Sequence, residues 1–302
     1  MKTFCLRGLT GAILILLIFS SILSGPYYFM CVFSVLVFGT AYEFYNLINI
    51  TKEVHITKWF HSLMAAVMFI CTWHKTAHVT GNWVYLVILV YLLGMFISRI
   101  YYTDRHSLKE LAFILLGQVY IAAPLSLINN IAFHTMKFPD GTMLNNYCPI
   151  FVLALFLFIW ANDTGAFFTG CTIGRIGKHR LFERVSPKKT WEGFWGGVII
   201  NMLFGLWLFY PEFWAYFGIN IDEGVQLTRI EWMGMALVVS IFGTFGDLFE
   251  SYVKRAVGVK DSGKLLPGHG GMWDRFDSLI LAAPAMYLYL MIISLLRYNF
   301  WD

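Results

Sequence analysis

The residues of this chain with chemistry to offer crowd into one stretch, Gly246 to Asp277, which reads GDLFESYVKRAVGVKDSGKLLPGHGGMWDRFD. Asp247, Glu250 and Ser251 stand at i, i+3 and i+4 and share one face if the preceding apolar run continues as a helix. Asp274 and Asp277 repeat the i, i+3 spacing where the next apolar run begins. Between the two groups lie Lys254, Arg255, Lys260, Asp261 and Lys264, then Pro267, Gly268, His269, Gly270 and Gly271. Carboxylates without cysteine are oxygen ligands suited to a hard cation such as Mg2+. Basic side chains beside a glycine-rich turn suit phosphate, because glycine lets backbone N–H groups come close. Arg275 can grip phosphate with two parallel donors, and His269 acts as an acid, donates to phosphate or fixes a turn. The plainer alternative is structural pairing, of Asp247 with Lys254 or Arg255 and of Asp274 with Arg275. Three converging acids would repel without a cation, so metal accounts for more of the pattern. Asp247, Asp274 and Asp277 are the expected ligands, with room for a second cation.

A second basic cluster runs from Cys171 to Glu192 and sets Arg175, Lys178, Arg180, Arg184, Lys188 and Lys189 around Gly174 and Gly177. It contains no GxxxxGK[ST] loop. One reading is a loop drawn to anionic lipid. The sharper one is that Ser186, Lys188, Lys189 and Thr190, just before an apolar run, bind a triphosphate at a helix N-terminus. Acids inside apolar runs are costly and default to functional candidates. Asp163 is taken as one; Glu43, near the end of its run, reads as a helix-packing or interfacial residue. Gln118 reads as a hydrogen-bonding link between helices.

These residues need elements to position them, and composition says which. With 58% hydrophobic and 13% charged residues in a chain of 302, and mean hydropathy +0.65, the protein is too apolar for a soluble domain. Apolar runs long enough to cross a bilayer recur. Nine are expected: one within 9–23, then roughly 27–48, 58–73, 83–101, 108–132, 147–170, 193–212, 230–251 and 276–296. The first is read as a retained helix rather than a cleaved signal. The fold class is therefore an all-α polytopic membrane protein. It forms a single membrane domain over 1–302, with N-terminal helices to 145 as scaffold and lipid pocket and the motifs in 146–302. With the N-terminus inside and the C-terminus outside, only Lys75, Lys137, Arg229 and Arg297 of 22 basic residues fall on the outer side. That asymmetry orients the chain and turns both motif loops to the cytoplasm. The isoelectric point near 8.7 is explained by topology rather than by nucleic acid. Five scattered cysteines without a CxxC pair read as packing residues.

At the motifs the chain resembles a known family. Ser251-x-Val253-Lys254-Arg255, Lys260-Asp261-x-Gly263 and Leu266-Pro267-x-His269-Gly270-Gly271-Met272-x-Asp274-Arg275-Phe276-Asp277 are similar to the signature of phosphatidate cytidylyltransferases. The block Ser186-Pro187-Lys188-Lys189-Thr190-Trp191-Glu192-Gly193 is similar to a second motif of that family. The resemblance covers the chain from about Asn162 onward; before that it extends only to apolar, helical character. It implies transfer of CMP from CTP to phosphatidic acid at the cell membrane, with Mg2+ and a homodimer. Lys188, Lys189, Lys264 and Arg275 would then hold phosphates. Asp163, Ser186, Thr190, Ser251, Lys254, Arg255, Lys260, Asp261, Gly270 and Gly271 would line the nucleotide site, and His269 would stand among the catalytic residues. A CTP-dependent polyprenol kinase is the nearest rival, although its family looks less like Ser251–Asp277. The DxxDGxxAR spacing of CDP-alcohol phosphotransferases is absent. An ion-coupled transporter using Asp163, Asp247 and Glu43 would call for two related halves with broken helices. The charge here clusters in the C-terminal half alone.

Overall fold

A computed structural model describes residues 2–101, 107–134, 136–137, 143–144, 147–177, 179–219, 227–263, 265 and 270–298. Its long helices are α1 (Lys2–Leu23), α2 (Pro26–Ile50), α3 (Lys58–Thr76), α4 (Leu86–Tyr101), α5 (Ser107–Gly117), α6 (Pro149–Thr172), α7 (Trp191–Leu208), α8 (Arg229–Ala256) and α9 (Trp273–Tyr298). A helix thus occupies each stretch where an apolar run was expected. Among the described residues, six helical stretches are long and apolar enough to cross a membrane: Pro26–Ile50, Asn82–Tyr101, Leu108–Ala132, Pro149–Thr172, Arg229–Ala256 and Trp273–Arg297. The protein is a helical, polytopic membrane protein. In α1 the apolar part, Gly8–Leu23, is shorter, and α3 mixes Lys58, His61, His74 and Lys75 into its apolar residues.

The chain divides into two compact units, residues 1–130 with 253–277, and residues 131–252 with 278–302. In the first unit α2 packs against α3 through aromatic contacts. The Phe33 and Phe69 rings lie stacked with centroids 6.2 Å apart, and both are buried. Proline opens α2, where its missing N–H costs nothing. After α5 the helix widens into a π-turn, Gln118–Ala122. Gln118 lies in it, and its Nε2 donates to Tyr45 Oη (3.1 Å) and to the His61 carbonyl (2.9 Å). Gln118 therefore links α2, α3 and the π-turn, the interhelical role expected of it.

In the second unit α6 and α7 pack closely because their facing residues are small. Gly193, Gly197, Asn201 and Gly205 recur at every fourth position of α7 and are buried. A Cβ on Gly193 would sit 3.0 Å from the Ala166 carbonyl oxygen, and one on Gly197 2.9 Å from that of Asn162. Small residues at i, i+4 are what let backbones approach in lipid, where burial of apolar surface gives little drive. Asn201 closes the contact with α8, its Nδ2 donating to Ser240 Oγ (2.7 Å) and the Ala236 carbonyl (3.2 Å). The loop between α6 and α7 is not all irregular. It folds into an antiparallel pair, β1 (Arg180–Phe182) and β2 (Ser186–Thr190), with Arg180 opposite Thr190 and Phe182 opposite Ser186.

Candidate active site

Strand β2 is the element that delivers the second motif. Its alternation exposes Lys188, leaves Lys189 half-buried and buries Thr190. The Arg180 guanidinium donates to the Pro187 carbonyl, and the Trp191 N–H donates to the His179 carbonyl (3.0 Å), which ties both ends of the hairpin. Thr190 is the N-cap of α7: its Oγ1 accepts from the Gly193 N–H at 3.1 Å. Threonine is a preferred cap because it satisfies one of the four amides that a helix start leaves unpaired. Strand direction and cap together fix where the two lysines emerge.

They emerge at a cavity of about 300 Å³ within the second unit. Asn162, Asp163, Lys188, Lys189, Thr190, Thr244 and Asp247 supply its polar wall. Lys189 Nζ lies 2.6 Å from Asp247 Oδ2, with both side chains about one-third exposed. Ser251, one turn on, donates to Asp247 Oδ1 at 3.4 Å. Asn162 Nδ2 donates to Thr244 Oγ1 at 3.4 Å, while its buried Oδ1 accepts no hydrogen bond among the described residues. The wall offers two lysine ammoniums, two carboxylates and neutral oxygens. Ammonium groups beside a capped helix start suit phosphate oxygens, and an all-oxygen set with two carboxylates fits Mg2+.

In the first unit the signature segment is held from two sides. Asp274, in the first turn of α9, accepts at Oδ2 from the Gly271 N–H (2.8 Å) and the Ser262 N–H (3.1 Å). Its Oδ1 is 2.7 Å from Lys254 Nζ, in a pair whose side chains are only 11% exposed. Gly270 has φ +83°, a conformation open to glycine and strained for other residues, and it turns the chain toward α9. On the opposite side stands Glu43 of α2, 3% exposed. Glu43 Oε2 accepts from Ser262 Oγ (3.2 Å) and from the Trp273 N–H (3.0 Å). Glu43, expected to be a packing residue, instead binds the signature segment. The signal was available in part, as an ionisable residue inside an apolar span. Its partner more than two hundred residues later was not.

Of the remaining expected site residues, Ser186 opens β2, and Asp277 is half-buried one turn after Asp274. Arg275 is exposed at the start of α9, and Arg255 donates to the Val259 carbonyl at 3.0 Å. Lys260 and Asp261 are exposed, and Gly271 is buried against Ser262 and Glu43. Lys264 and His269, with Pro267 and Gly268, lie outside the described residues, as does Lys178. The structural pairs differ from the simple expectation. Asp247 pairs with Lys189 of β2, and Asp274 pairs with Lys254 of α8.

In a multi-span helical membrane protein, a cavity lined by lysines and carboxylates is suited to a phosphorylated substrate. Residues 5–293 match the model of the Cytidylyltransferase family, and the chain belongs to that family. It is 32% identical over 288 residues to a phosphatidate cytidylyltransferase of Staphylococcus aureus (strain COL), a match covering 94% of this chain and 98% of that protein. The phosphatidate cytidylyltransferase of Staphylococcus haemolyticus (strain JCSC1435) is likewise 32% identical over the same shares. That of Staphylococcus epidermidis (strain ATCC 12228 / FDA PCI 1200) is 34% identical over 214 residues, 70% of this chain and 72% of that protein. The match extends through the N-terminal helices, beyond the part that carries the motifs.

Proposed function

We propose that the protein transfers CMP from CTP to phosphatidic acid, giving CDP-diacylglycerol and pyrophosphate. The observation that carries this is the Lys188–Lys189 strand end facing Asp247 in a polar cavity, within a chain matched along its length to enzymes named phosphatidate cytidylyltransferase. The nucleophile is a phosphate oxygen of phosphatidic acid, already ionised at neutral pH. It forms a bond to the α-phosphorus of CTP as the bond from that phosphorus to the bridging oxygen of pyrophosphate breaks. The protein supplies no strong base; positioning and neutralisation of charge dominate such a transfer.

In this reading Lys188 and Lys189 hold phosphate oxygens from β2, and Ser186 and Thr190 fix the strand and the helix start behind them. Asp163 and Asp247 add carboxylates to the cavity. Asp247, Asp274 and Asp277 are the proposed holders of Mg2+, which when bound neutralises phosphate charge; a second cation is compatible with this number of acids. At Asp274 a cation would compete with Lys254 for Oδ1. Arg275 is exposed and suited to a phosphate. Lys264 and His269 keep their proposed parts in phosphate binding and catalysis.

Nine spans with the N-terminus inside place the basic loops on the cytoplasmic side of the cell membrane, where CTP is found; the support is the distribution of lysine and arginine. A homodimer is proposed from the family resemblance alone. The testing experiment supplies purified protein in detergent with CTP, phosphatidic acid and Mg2+, then omits each in turn. Pyrophosphate release that needs all three is the expected result. Release without phosphatidic acid, or none from folded protein, would overturn the reading.

A further inference from the structure

Glu43 has no place in the chemistry described so far, yet it is among the most buried acids in the chain. A buried carboxyl is costly unless hydrogen-bonded, and one inside an apolar helix calls for a reason. Its partners supply the reason. Ser262 Oγ and the Trp273 N–H, both within the signature segment, reach it from positions 219 and 230 residues away in sequence. Asp274 accepts from the Ser262 and Gly271 amides. Two carboxylates from different helices therefore meet at Ser262, 2% exposed, and each also holds an amide just before or at the start of α9: Trp273 for Glu43, Gly271 for Asp274.

The glycines of the motif fit this arrangement. A Cβ on Gly263 would come within 2.7 Å of Glu43 Cδ, and one on Gly271 would collide with Ser262 Oγ and with the Glu43 carboxylate. Gly263 and Gly271 thus lie directly against the Glu43 side chain. Met272 packs on Gly39, one turn earlier in α2, with its Cγ 3.4 Å from where a Cβ would stand. Trp273 is fully buried and meets Phe44 edge-on at 5.3 Å. Gly39, Glu43 and Phe44, on neighbouring turns of α2, thus form the seat on which α9 begins.

We propose that Glu43 is a positioning residue for the cytidylyl transfer: it fixes Ser262 and Trp273, and through them the placement of Asp274 and Arg275. This rests on the function proposed above. It gives the N-terminal helices, so far only scaffold, a share in turnover. It predicts a coupling between Glu43 and Gly263 that general packing would not produce.

The test uses full-length protein in detergent, with thermal unfolding recorded for every variant. Misplacement by an ångström far from the reacting atoms can cost about 10²-fold in rate. Glu43→Ala is expected to lower kcat/KM for CTP by about 100-fold, mostly in kcat, and Glu43→Gln, which keeps size and an acceptor, by about tenfold or less. Gly263→Ala pushes a methyl onto Glu43 and is expected to lose about as much as Glu43→Ala. Glu43→Asp withdraws the carboxylate by one carbon, so the Glu43→Asp, Gly263→Ala double variant should be at least about tenfold more active than Gly263→Ala alone. Amide exchange of 262–273 should rise in Glu43→Ala and in Gly263→Ala but little in Glu43→Gln.

Wild-type kcat and KM in Glu43→Ala would overturn the proposal. So would a double variant no better than Gly263→Ala, and this arm decides the matter if Glu43→Ala fails to fold. A wild-type protein without turnover, yet with 262–273 protected in a Glu43-dependent way, would instead mark the failure of the reaction proposed above.

Discussion

Lys189 Nζ and Asp247 Oδ2 stand 2.6 Å apart, one on a strand end and one on α8, at the wall of a polar cavity. Such a pair is either a structural tie or a phosphate-binding lysine held ready by an acid. Lys189→Met should lower kcat/KM by about 10²- to 10³-fold, the range for removing one donor to developing charge. A charge swap, Lys189→Asp with Asp247→Lys, separates the two roles. It should restore thermal stability lost in either single variant and leave turnover absent. Recovered turnover in the swap would make the pair purely structural.

The Lys254–Asp274 pair is more enclosed, with both side chains 11% exposed. Lys254→Met removes the ammonium 2.7 Å from the enclosed Asp274 Oδ1, at a cost on the order of 3 kcal/mol. Thermal unfolding in detergent checks this as a clear drop in midpoint. Asp274→Asn keeps an oxygen acceptor for the Gly271 and Ser262 amides. It should abolish turnover while expression and membrane insertion stay normal; near-normal activity would remove Asp274 from the proposed metal site.

Gly193→Ala and Gly197→Ala test the close approach of α6 and α7. Each Cβ would meet a backbone carbonyl oxygen, at 3.0 Å and 2.9 Å, which cannot swing aside as a side chain would. Overpacking of this kind costs about 1–3 kcal/mol. Gly8→Ala, whose Cβ would meet nothing within 4 Å, is the matched control and should be silent in the same melting experiment.

The hairpin has a pH dependence of known sign. Glu192 Oε1 lies 2.6 Å from His179 Nδ1, and that hydrogen bond holds the Glu192 carboxyl below its ordinary 4.5. A depressed carboxyl stabilises the folded form above its unfolded value, and the contribution is lost as pH falls through the folded value. Amide exchange across 179–191 should therefore rise as pH drops below 4.5, and Glu192→Gln should flatten that rise. An unchanged profile in Glu192→Gln would assign the acid sensitivity to another group.

Helix positions were legible because apolar runs are local signals; the cap that Thr190 gives α7 emerges only in the structure. Partners were not legible. From sequence, Lys254 or Arg255 is the natural cation for Asp247, but seven or eight residues of helix carry them about 10–12 Å along the axis. Arg275 was the natural partner for Asp274, but adjacent residues on a helix do not face each other. Strand β2 is not announced by the sequence, since Ser-Pro-Lys-Lys-Thr has no apolar alternation. The role of Glu43 is not legible in the sequence, because its hydrogen-bond partners, Ser262 and Trp273, are joined to it only by the fold.

The most direct measurement follows each phosphorus of CTP. Membrane-free protein is given phosphatidic acid and Mg2+ with CTP labelled either at the α- or at the γ-phosphorus, and the lipid fraction is counted. Cytidylyl transfer predicts α-label in the lipid and γ-label in released pyrophosphate. Label reaching a lipid acceptor from the γ-position, with none from the α-position, would contradict it and define a CTP-dependent kinase instead.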